Sequence, residues 1–506
     1  MALSLSSFII IVMIGRAAAY EYCVGANAYW MPSAATAGDT GSVDVVLDSL
    51  QRIGARLVRT WAFNHNMPAA PGSYSESELR GLDYVVQGAE RRGMRVILAL
   101  GNFWAAYKGP EDWMAWARGG PGGANSSWTG DVVDFYRDPS VRQLYKDHVA
   151  FMLGRTNTLS GRTYSSDPTV YGFDVINEPR CPGCAPGDLA AHLDWLSDVT
   201  SFTRGLVKSG ALVLAGTEGF FSPEASGHLL SENPGAGAGC EGEDVMQISQ
   251  LGAVGAMTTH MYWRQMEQMA VLGWRKPTFD EFLPYLDRKL QLYNDLAAGM
   301  GKPLIVEEYG TTQRFFDEEQ RKVTFAIVLS RLVQSKREGK GFVAALFWNA
   351  AQPGTASTDG YDVQVTKSPS GVTIGLGNAP PPPSSAGPAG AVSPQPPLSP
   401  SAQYRRLLLR AADDGALSLQ DLPGSAGSSS PEGVARRLSQ GVVTSSEDEL
   451  DAFRRGPARA ACANAAASDW SFIEPPQTVD VAAWRARVAP VDVVDIIAEA
   501  AALLAM

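Results

Sequence analysis

The chain has 506 residues, of which 45% are hydrophobic, and its formal net charge is −11. This length exceeds what one compact domain of ordinary size needs, and the composition is that of a folded protein. Because acidic residues outnumber basic ones, the charge balance gives no reason to expect a nucleic acid or an anionic membrane as partner.

The first 19 residues predict a secretory signal peptide. Their apolar run is too short to span a bilayer comfortably, and the small residues Ala17–Ala19 that follow it suit cleavage. Arg16 follows the apolar run, whereas the basic residue of a signal usually precedes it, so an uncleaved anchor and an organelle-targeting peptide remain alternatives. We expect a secreted protein that has no membrane partner after signal cleavage.

Short apolar segments then alternate with helical stretches as far as Asn349. Eight segments predict strands: Tyr22–Ala28, Leu57–Trp61, Val96–Leu100, Gly172–Ile176, Leu212–Gly216, Ala256–Tyr262, Leu304–Glu308 and Val343–Trp348. Apolar residues recur at helical spacing between them, for example in Glu76–Arg92, Val141–Thr156, Leu189–Val207 and Glu318–Gln334. Eight βα units in succession indicate an α/β fold, the (β/α)8 TIM barrel. The alternative is an open doubly wound sheet, which usually carries a Gly-rich phosphate loop that this chain lacks.

The composition changes after about residue 360. Pro380–Pro383 opens a segment rich in Pro, Ser, Ala and Gly, which cannot bury enough apolar surface to fold. We therefore predict a signal peptide at 1–19, a barrel domain at 20–378 and a low-complexity, largely disordered extension with short helices at 379–506. Helical patches lie at Tyr404–Ala412 and Val491–Leu504, and one of them could supply the eighth helix of the barrel.

Five cysteines allow disulfides in an oxidising compartment. Cys181 and Cys184 are close enough in sequence to bridge. Zinc is the alternative, but it would need further Cys or His ligands, and no second pair is present. Cys23 and Cys240 could form another bridge, and the pairing of Cys462 is open.

Two glutamates follow predicted strands at the end of the barrel where functional residues lie. Glu178 comes after the fourth strand, and Glu308 ends the seventh. Two carboxyl groups about 5–5.5 Å apart can hydrolyse a glycosidic bond with retention, because one protonates the leaving oxygen while the other attacks the anomeric carbon. Either glutamate alone could be a solvated loop acid, but the pair predicts a retaining glycoside hydrolase.

The surrounding motifs resemble endo-β-1,4-mannanases of glycoside hydrolase family 5, of the plant and fungal type. The resemblance runs from about Gly25 to Asp362. It rests on Gly25-Ala26-Asn27-Ala28-Tyr29-Trp30, Arg59-Thr60-Trp61-Ala62-Phe63-Asn64, Asn177-Glu178-Pro179-Arg180-Cys181, Thr217-Glu218-Gly219-Phe220, His260-Met261-Tyr262, Glu308-Tyr309-Gly310, Phe347-Trp348 and Asp359-Gly360-Tyr361.

The resemblance implies roles at the matching positions. Glu178 is expected to be the acid/base and Glu308 the nucleophile, which the family pattern prefers to its neighbour Glu307 because it directly precedes the aromatic-Gly pair. Arg59 is expected to hold the nucleophile ionised, since a nearby guanidinium lowers the pKa of a carboxyl. For Glu178 to act as an acid near neutral pH, its surroundings must raise its pKa.

The other expected substrate-binding residues surround this pair. Asn177 is expected to bond the 2-hydroxyl of the sugar, and Arg180 to contact sugar on the leaving-group side. The remaining members of the set are Trp61, Glu218, the network residues His260 and Tyr262, and Trp348 as the floor of the site. The alternatives are that Arg59 is a structural ion-pair partner, His260 a satisfied core residue and Trp348 part of the core packing. Further tryptophans could line the cleft or simply stabilise long loops, namely Trp104, Trp113, Trp116, Trp128 and Trp263.

The sequence thus predicts a secreted, monomeric enzyme that cuts β-1,4-mannosidic linkages in mannan, glucomannan and galactomannan by double displacement. The expected partner is the polysaccharide, with no nucleic acid, metal or organic cofactor. The alternatives are another retaining β-1,4-glycanase, such as an endoglucanase, or an inactive protein that binds wall polysaccharide. His65 and Trp263-Arg264 depart from residues common in the family, and both bear on sugar preference.

Overall fold

The computed structural model describes residues 21–373, except 106, 120–131, 183, 185, 235, 263–277, 314–315 and 358, and also residue 376 and residues 480–506. Several predictions lie outside these residues: the signal peptide, most of the extension with its patch at 404–412, Cys462, Trp128 and Trp263-Arg264.

Eight parallel strands surround a central axis. They are β1 (Cys23–Asn27), β2 (Leu57–Trp61), β3 (Arg95–Ala99), β4 (Val170–Asp174), β5 (Leu212–Leu214), β6 (Met257–Tyr262), β7 (Leu304–Gly310) and β8 (Phe342–Phe347). Their order is β5-β4-β3-β2-β1-β8-β7-β6. Between β5 and β6 the ring is joined by single bonds, such as the one from Gly255 N to Val213 O at 2.8 Å. The predicted barrel is confirmed, and the pairing of β1 with β8 excludes the open doubly wound sheet.

Helices cover the outside of the strands. They are α1 (Met31–Thr36), α2 (Thr40–Arg52), α3 (Glu76–Arg91), α4 (Pro110–Ala117), α5 (Val133–Arg137), α6 (Pro139–Gly154), α7 (Pro186–Leu206), α8 (Val245–Gln250), α9 (Phe279–Gly299), α10 (Glu318–Glu338), α11 (Val481–Val488) and α12 (Val493–Ala505). Local sequence sets their ends. For example, Asp317 and Gln320 form a capping box at the start of α10, and Gly339 ends that helix with a φ of 64°.

The last helix of the chain completes the outer layer. Helix α12 packs against α10 and β1, and no helix follows β8 in the described part of residues 348–376. Its buried residues include Val493, Ile496, Ile497 and Leu504, which join the main hydrophobic core. Of the two sequence patches, the one at 491–504 therefore takes the place of the eighth barrel helix.

The disulfide between Cys181 and Cys184 is present, which confirms that prediction. The suggested bridge between Cys23 and Cys240 is wrong, because Cys23 is a buried free thiol. Cys23 begins β1 at the bottom of the barrel, whereas Cys240 lies beside the Cys181 loop, where Cys181 N donates to Glu241 O at 2.9 Å. Among the helices described, none is both long and apolar enough to cross a membrane.

Candidate active site

The two predicted catalytic glutamates meet at the carboxyl-terminal end of the barrel. One oxygen of Glu178, one oxygen of Glu308 and one ring nitrogen of His260 all lie within 4.8 Å of one another. Both residues are nearly buried, because only 9% of the surface of Glu178 and 5% of the surface of Glu308 is exposed. This spacing suits a retaining pair at about 5–5.5 Å and is shorter than the 6.5–9.5 Å typical of inverting pairs.

Glu308 is held from two sides. Arg59 Nη1 donates to its Oε1 at 2.5 Å, and the hydroxyl of Tyr262 donates to its Oε2 at 2.6 Å. Burial raises the pKa of Glu308, although the charges of His260 and Arg59 lower it in part. Arg59 therefore acts on this pKa in the predicted direction, but burial outweighs it.

Arg59 connects three strands and the loop of the acid/base candidate. Its side chain is fully buried and also donates to Asp174 Oδ2 at 2.7 Å and to Asn177 Oδ1 at 2.7 Å. A longer bond of 3.2 Å reaches Asn27 Oδ1. Because one rigid guanidinium satisfies all these acceptors, it fixes the positions of Glu308 and Asn177 relative to each other.

Glu178 has an unusual backbone conformation for a residue with a side chain. Its φ is 53°, in the left-handed region, and its N–H donates to Gly216 O at 2.9 Å. Backbone strain of this kind is common where a functional side chain must be aimed precisely. Here it directs the carboxyl towards Trp104 Nε1, which donates to Oε2, and His260 Nδ1, which donates to Oε1 at 2.7 Å.

The pKa shifts of Glu178 and His260 correct the expectation for the acid/base residue. Burial raises the pKa of Glu178, but the hydrogen bond and charge of His260, together with Arg180, outweigh burial and bring it to about 2. Burial lowers the pKa of His260, yet the charge of Glu308, the hydrogen bond to Glu178 and the nearby carboxylate of Glu307 raise it well above 6.5. These two directions favour an ionised Glu178 beside a positively charged His260, which is the opposite of the expected rise in the pKa of Glu178.

Arg180 and Glu218 lie behind the reacting pair. The Arg180 guanidinium donates twice to Glu218 and once to Glu241 Oε2, at 3.1 Å, and only 2% of Arg180 is exposed. It also stacks beneath Trp104, with its Cζ 4.8 Å from the ring centroid. Direct contact of Arg180 or Glu218 with sugar stays a prediction, since in this arrangement both support Trp104 and, through it, Glu178.

An aromatic surface extends from the catalytic pair. Tyr29 stacks on Trp348 at a centroid distance of 5.1 Å, and Trp61 lies 6.1 Å from the same ring. Trp348 Nε1 is fixed by Asp359 Oδ2 at 2.9 Å. Beside them is a cavity of about 290 Å³, lined by Tyr29, Trp30, Pro32, Ser33, Ala34, Trp61, Phe63, Asn64, Tyr107 and Gln352. Trp113 and Trp116 belong instead to the hydrophobic core.

Sequence reasoning missed Asp174 as part of the site. This acid is fully buried at the end of β4, and burial together with the charge of Glu307 raises its pKa to about 7. An acidic residue at the end of an otherwise apolar strand is a signal that could have found it. Trp104 was considered as a cleft residue, but its bond to Glu178 has no local sequence signal.

The Glu178, His260 and Glu308 cluster is also the type of donor set that can bind a metal ion. Its carboxylate oxygens already accept bonds from Arg59, Tyr262, Trp104 and His260. These bonds account for the cluster as an acid pair held by donors, and we assign no metal to it.

Comparison with known proteins identifies the family of the chain. The family model described as GH family 5 beta-mannosidase-like matches residues 15–364. The chain belongs to glycoside hydrolase family 5. The resemblance seen in the sequence motifs is thereby confirmed, and the protein is a glycoside hydrolase.

The curated relatives of this family 5 enzyme include plant mannan endo-1,4-beta-mannosidases. It is 30% identical over 363 residues to mannan endo-1,4-beta-mannosidase 1 of Oryza sativa subsp. japonica, covering 69% of this chain and 79% of the relative. It is also 30% identical over 364 residues to mannan endo-1,4-beta-mannosidase 1 of Arabidopsis thaliana, covering 69% and 82%.

Solved structures share the fold of the enzyme. The hyperthermostable endo-1,4-beta-D-mannanase of Thermotoga petrophila gives a TM-score of 0.53 at 23% identity, over 68% of this chain and 95% of that one. The endo-1,4-beta-mannanase of Rhizomucor miehei gives 0.52 at 24% identity, over 68% and 90%.

Proposed function

We propose that the enzyme hydrolyses internal β-1,4-mannosidic linkages of mannan, glucomannan and galactomannan with retention of configuration. The observation that carries the proposal is the close pairing of Glu178 and Glu308, each held by its own donors. The plant relatives, whose names specify mannan endo-1,4-beta-mannosidase activity, support the choice of substrate.

In the first step, an oxygen of Glu308 bonds to the anomeric carbon as the bond from that carbon to the leaving oxygen breaks. The leaving oxygen takes a proton from Glu178, so the products are a free sugar end and a glycosyl-enzyme ester. Arg59 and Tyr262 keep Glu308 aimed during the attack, because each fixes one of its oxygens.

The proton for this step comes from the pair formed by His260 and Glu178. Nδ1 of His260 lies 3.7 Å from Glu308 Oε2, so the charge of Glu308 helps to hold the proton on His260. As Glu308 bonds to carbon it loses that charge, and the proton moves through Glu178 to the leaving oxygen. In the second step, Glu178 takes a proton from water, whose oxygen attacks the anomeric carbon and releases Glu308.

We assign the sugar path to the aromatic surface. Trp348 is the floor beneath the reacting sugar, with Asn177 near its 2-hydroxyl, and the cavity beside Tyr29 and Trp61 has the volume and the mixed aromatic and amide lining that suit a pyranose ring.

We also propose that the protein acts outside the cell as a monomer. The apolar N-terminal segment and the disulfide between Cys181 and Cys184 support an extracytoplasmic location, because disulfides persist in oxidising compartments. N-terminal sequencing of the protein from culture medium and light scattering test these two points.

The experiment that tests the function is an assay of reducing ends released from mannan, cellulose and xylan. Wild type should act best on mannan. The activity of Glu178→Ala and of Glu308→Ala on mannan should each be lower by about a thousandfold or more. Azide should rescue the two variants on an activated substrate with opposite anomeric products, since it replaces water in one and the nucleophile in the other. Glu76→Ala, at an exposed residue of α3, is the control. Activity on cellulose alone would refute the mannan assignment in favour of an endoglucanase, and full activity in both variants would refute the mechanism.

A further inference from the structure

Glu307, the residue before the nucleophile, is completely buried in the barrel. Neither of its carboxylate oxygens has a hydrogen-bond partner among the residues that the structure describes. Its Oε2 lies 3.6 Å from Nε2 of His260, within ion-pair distance. A buried carboxylate is costly unless a positive charge compensates it, so this placement beside an imidazole calls for an explanation.

An irregular strand makes this contact possible. In a regular strand the side chains of Glu307 and Glu308 would point to opposite faces. Strand β7 instead changes register with β6 between Thr259 and His260, and with β8 between Val306 and Tyr309. Such irregularities re-aim side chains and are common next to active sites. Both neighbouring glutamates therefore reach the same imidazole.

His260 consequently has a carboxylate on each side of its ring. Nδ1 faces Glu178 at 2.7 Å and Glu308 at 3.7 Å, and Nε2 faces Glu307 at 3.6 Å. Two more acids act on the ring through their charge, Asp174 at the end of β4 and Glu218 after β5. The cation of Arg59 from β2 interacts through its charge with Asp174, Glu308 and Glu307. Glu307 thus faces the ring nitrogen opposite the one that faces Glu178 and Glu308.

We propose that Glu307 is a positioning residue that holds His260 as an imidazolium with Nδ1 directed at Glu178, and so keeps the catalytic proton on that pair. The proposal rests on the acid/base role of Glu178 given above. Glu307 forms no bond with substrate and takes no proton itself, and the proton still moves from His260 Nδ1 through a Glu178 oxygen to the leaving oxygen. Its negative charge makes the proton harder to lose to solvent as the pH rises.

The test is the pH profile of kcat/KM for wild type, Glu307→Gln and Glu307→Asp on soluble mannan. The alkaline limb reports loss of the essential proton in the free enzyme. Removing a unit charge at this distance should move that limb towards acid by about one pH unit or more. Glu307→Asp keeps the charge and should keep the limb near its wild-type position.

A purely structural role predicts a different result. Asp83→Asn is the matched control, because Asp83 is an equally buried acid, bound by Arg155 and Tyr164 in the helical layer. It should lower the Tm without moving the alkaline limb. A folded Glu307→Gln protein that behaves like Asp83→Asn would overturn the proposal.

A second measurement does not depend on activity. In protein with 15N-labelled histidines, the imidazole of His260, assigned with His260→Asn, should lose its proton at lower pH in Glu307→Gln than in wild type. An unchanged titration would refute the role of Glu307. If wild type cleaves no glycan, the proposed function fails, yet this titration still decides whether Glu307 controls the imidazole.

Discussion

Arg59→Met is the substitution that best tests the hydrogen-bond network of the site. It removes the fully buried cation shared by Glu308 and Asp174, and with it the donor to Asn177. Removing one partner of a buried ion pair costs about 3–5 kcal/mol of stability, because the remaining charge is left uncompensated. Loss of a donor that aligns a reacting group typically lowers kcat by about 10²–10³-fold, and we expect a loss of this size on mannan.

Arg59→Lys separates charge from geometry. A lysine ammonium restores a positive charge, but it cannot donate to the three acceptors at once, so stability should recover in part while activity stays more than about tenfold below wild type. Arg155→Met is the control, because Arg155 bridges Glu76 and Asp83 at 2.8 Å each in the helical layer. Urea unfolding and steady-state kinetics measure both quantities. Activity of folded Arg59→Met within threefold of wild type would refute the reasoning.

Three further predictions concern the scaffold. Gly216→Ala should lower the stability of the fold by about 1–3 kcal/mol and reduce activity, because Gly216 has a φ of 70° and an added Cβ would collide with the loop that carries the acid/base. Gly205→Ala, in open space on α7, is the control and should be neutral or slightly stabilising. Thermal unfolding measures the stability of both variants. Removal of residues 480–506 should leave no cooperative unfolding transition by circular dichroism, because their buried Val, Ile and Leu side chains contribute about 1.5–3 kcal/mol each and together match the whole stability of a domain. Burial lowers the pKa of His148 from 6.5 to about 4, so up to about 3 kcal/mol of stability is present above pH 6.5 and is lost as the pH falls towards 4. Urea unfolding at pH 7 and pH 4.5 should show a smaller loss for His148→Gln, and the same loss as wild type for the exposed His228→Gln.

Local sequence was sufficient to find the barrel strands and most of the residues around the reacting pair. The strand ends placed Arg59, Glu178 and Glu308 at one rim, because parallel strands of a barrel present their carboxyl ends together. Local sequence did not identify Asp174 as a partner of Arg59. It also led to an expected rise in the pKa of Glu178, whereas the folded site lowers that pKa. Both depend on groups brought together from distant parts of the chain.

For helix α12, the sequence predicted the helix and the tertiary structure determined where it packs. The patch at 491–504 is strongly apolar, so the sequence could predict a helix there and offer it as a barrel helix. Its periodicity could not say which surface it would cover, and only the packed structure places it against α10 and β1.

The glutamates on the fourth and seventh strands were determined by the sequence itself, because strand periodicity and the motif around each fix which end of the barrel they occupy. Their protonation was decided by the tertiary structure alone. The register changes of β7 bring Glu307 and Glu308 to one imidazole, and the loop after β4 brings Glu178 to the same ring. A pKa depends on the charges and burial within a few ångströms, and those distances exist only after the chain has folded.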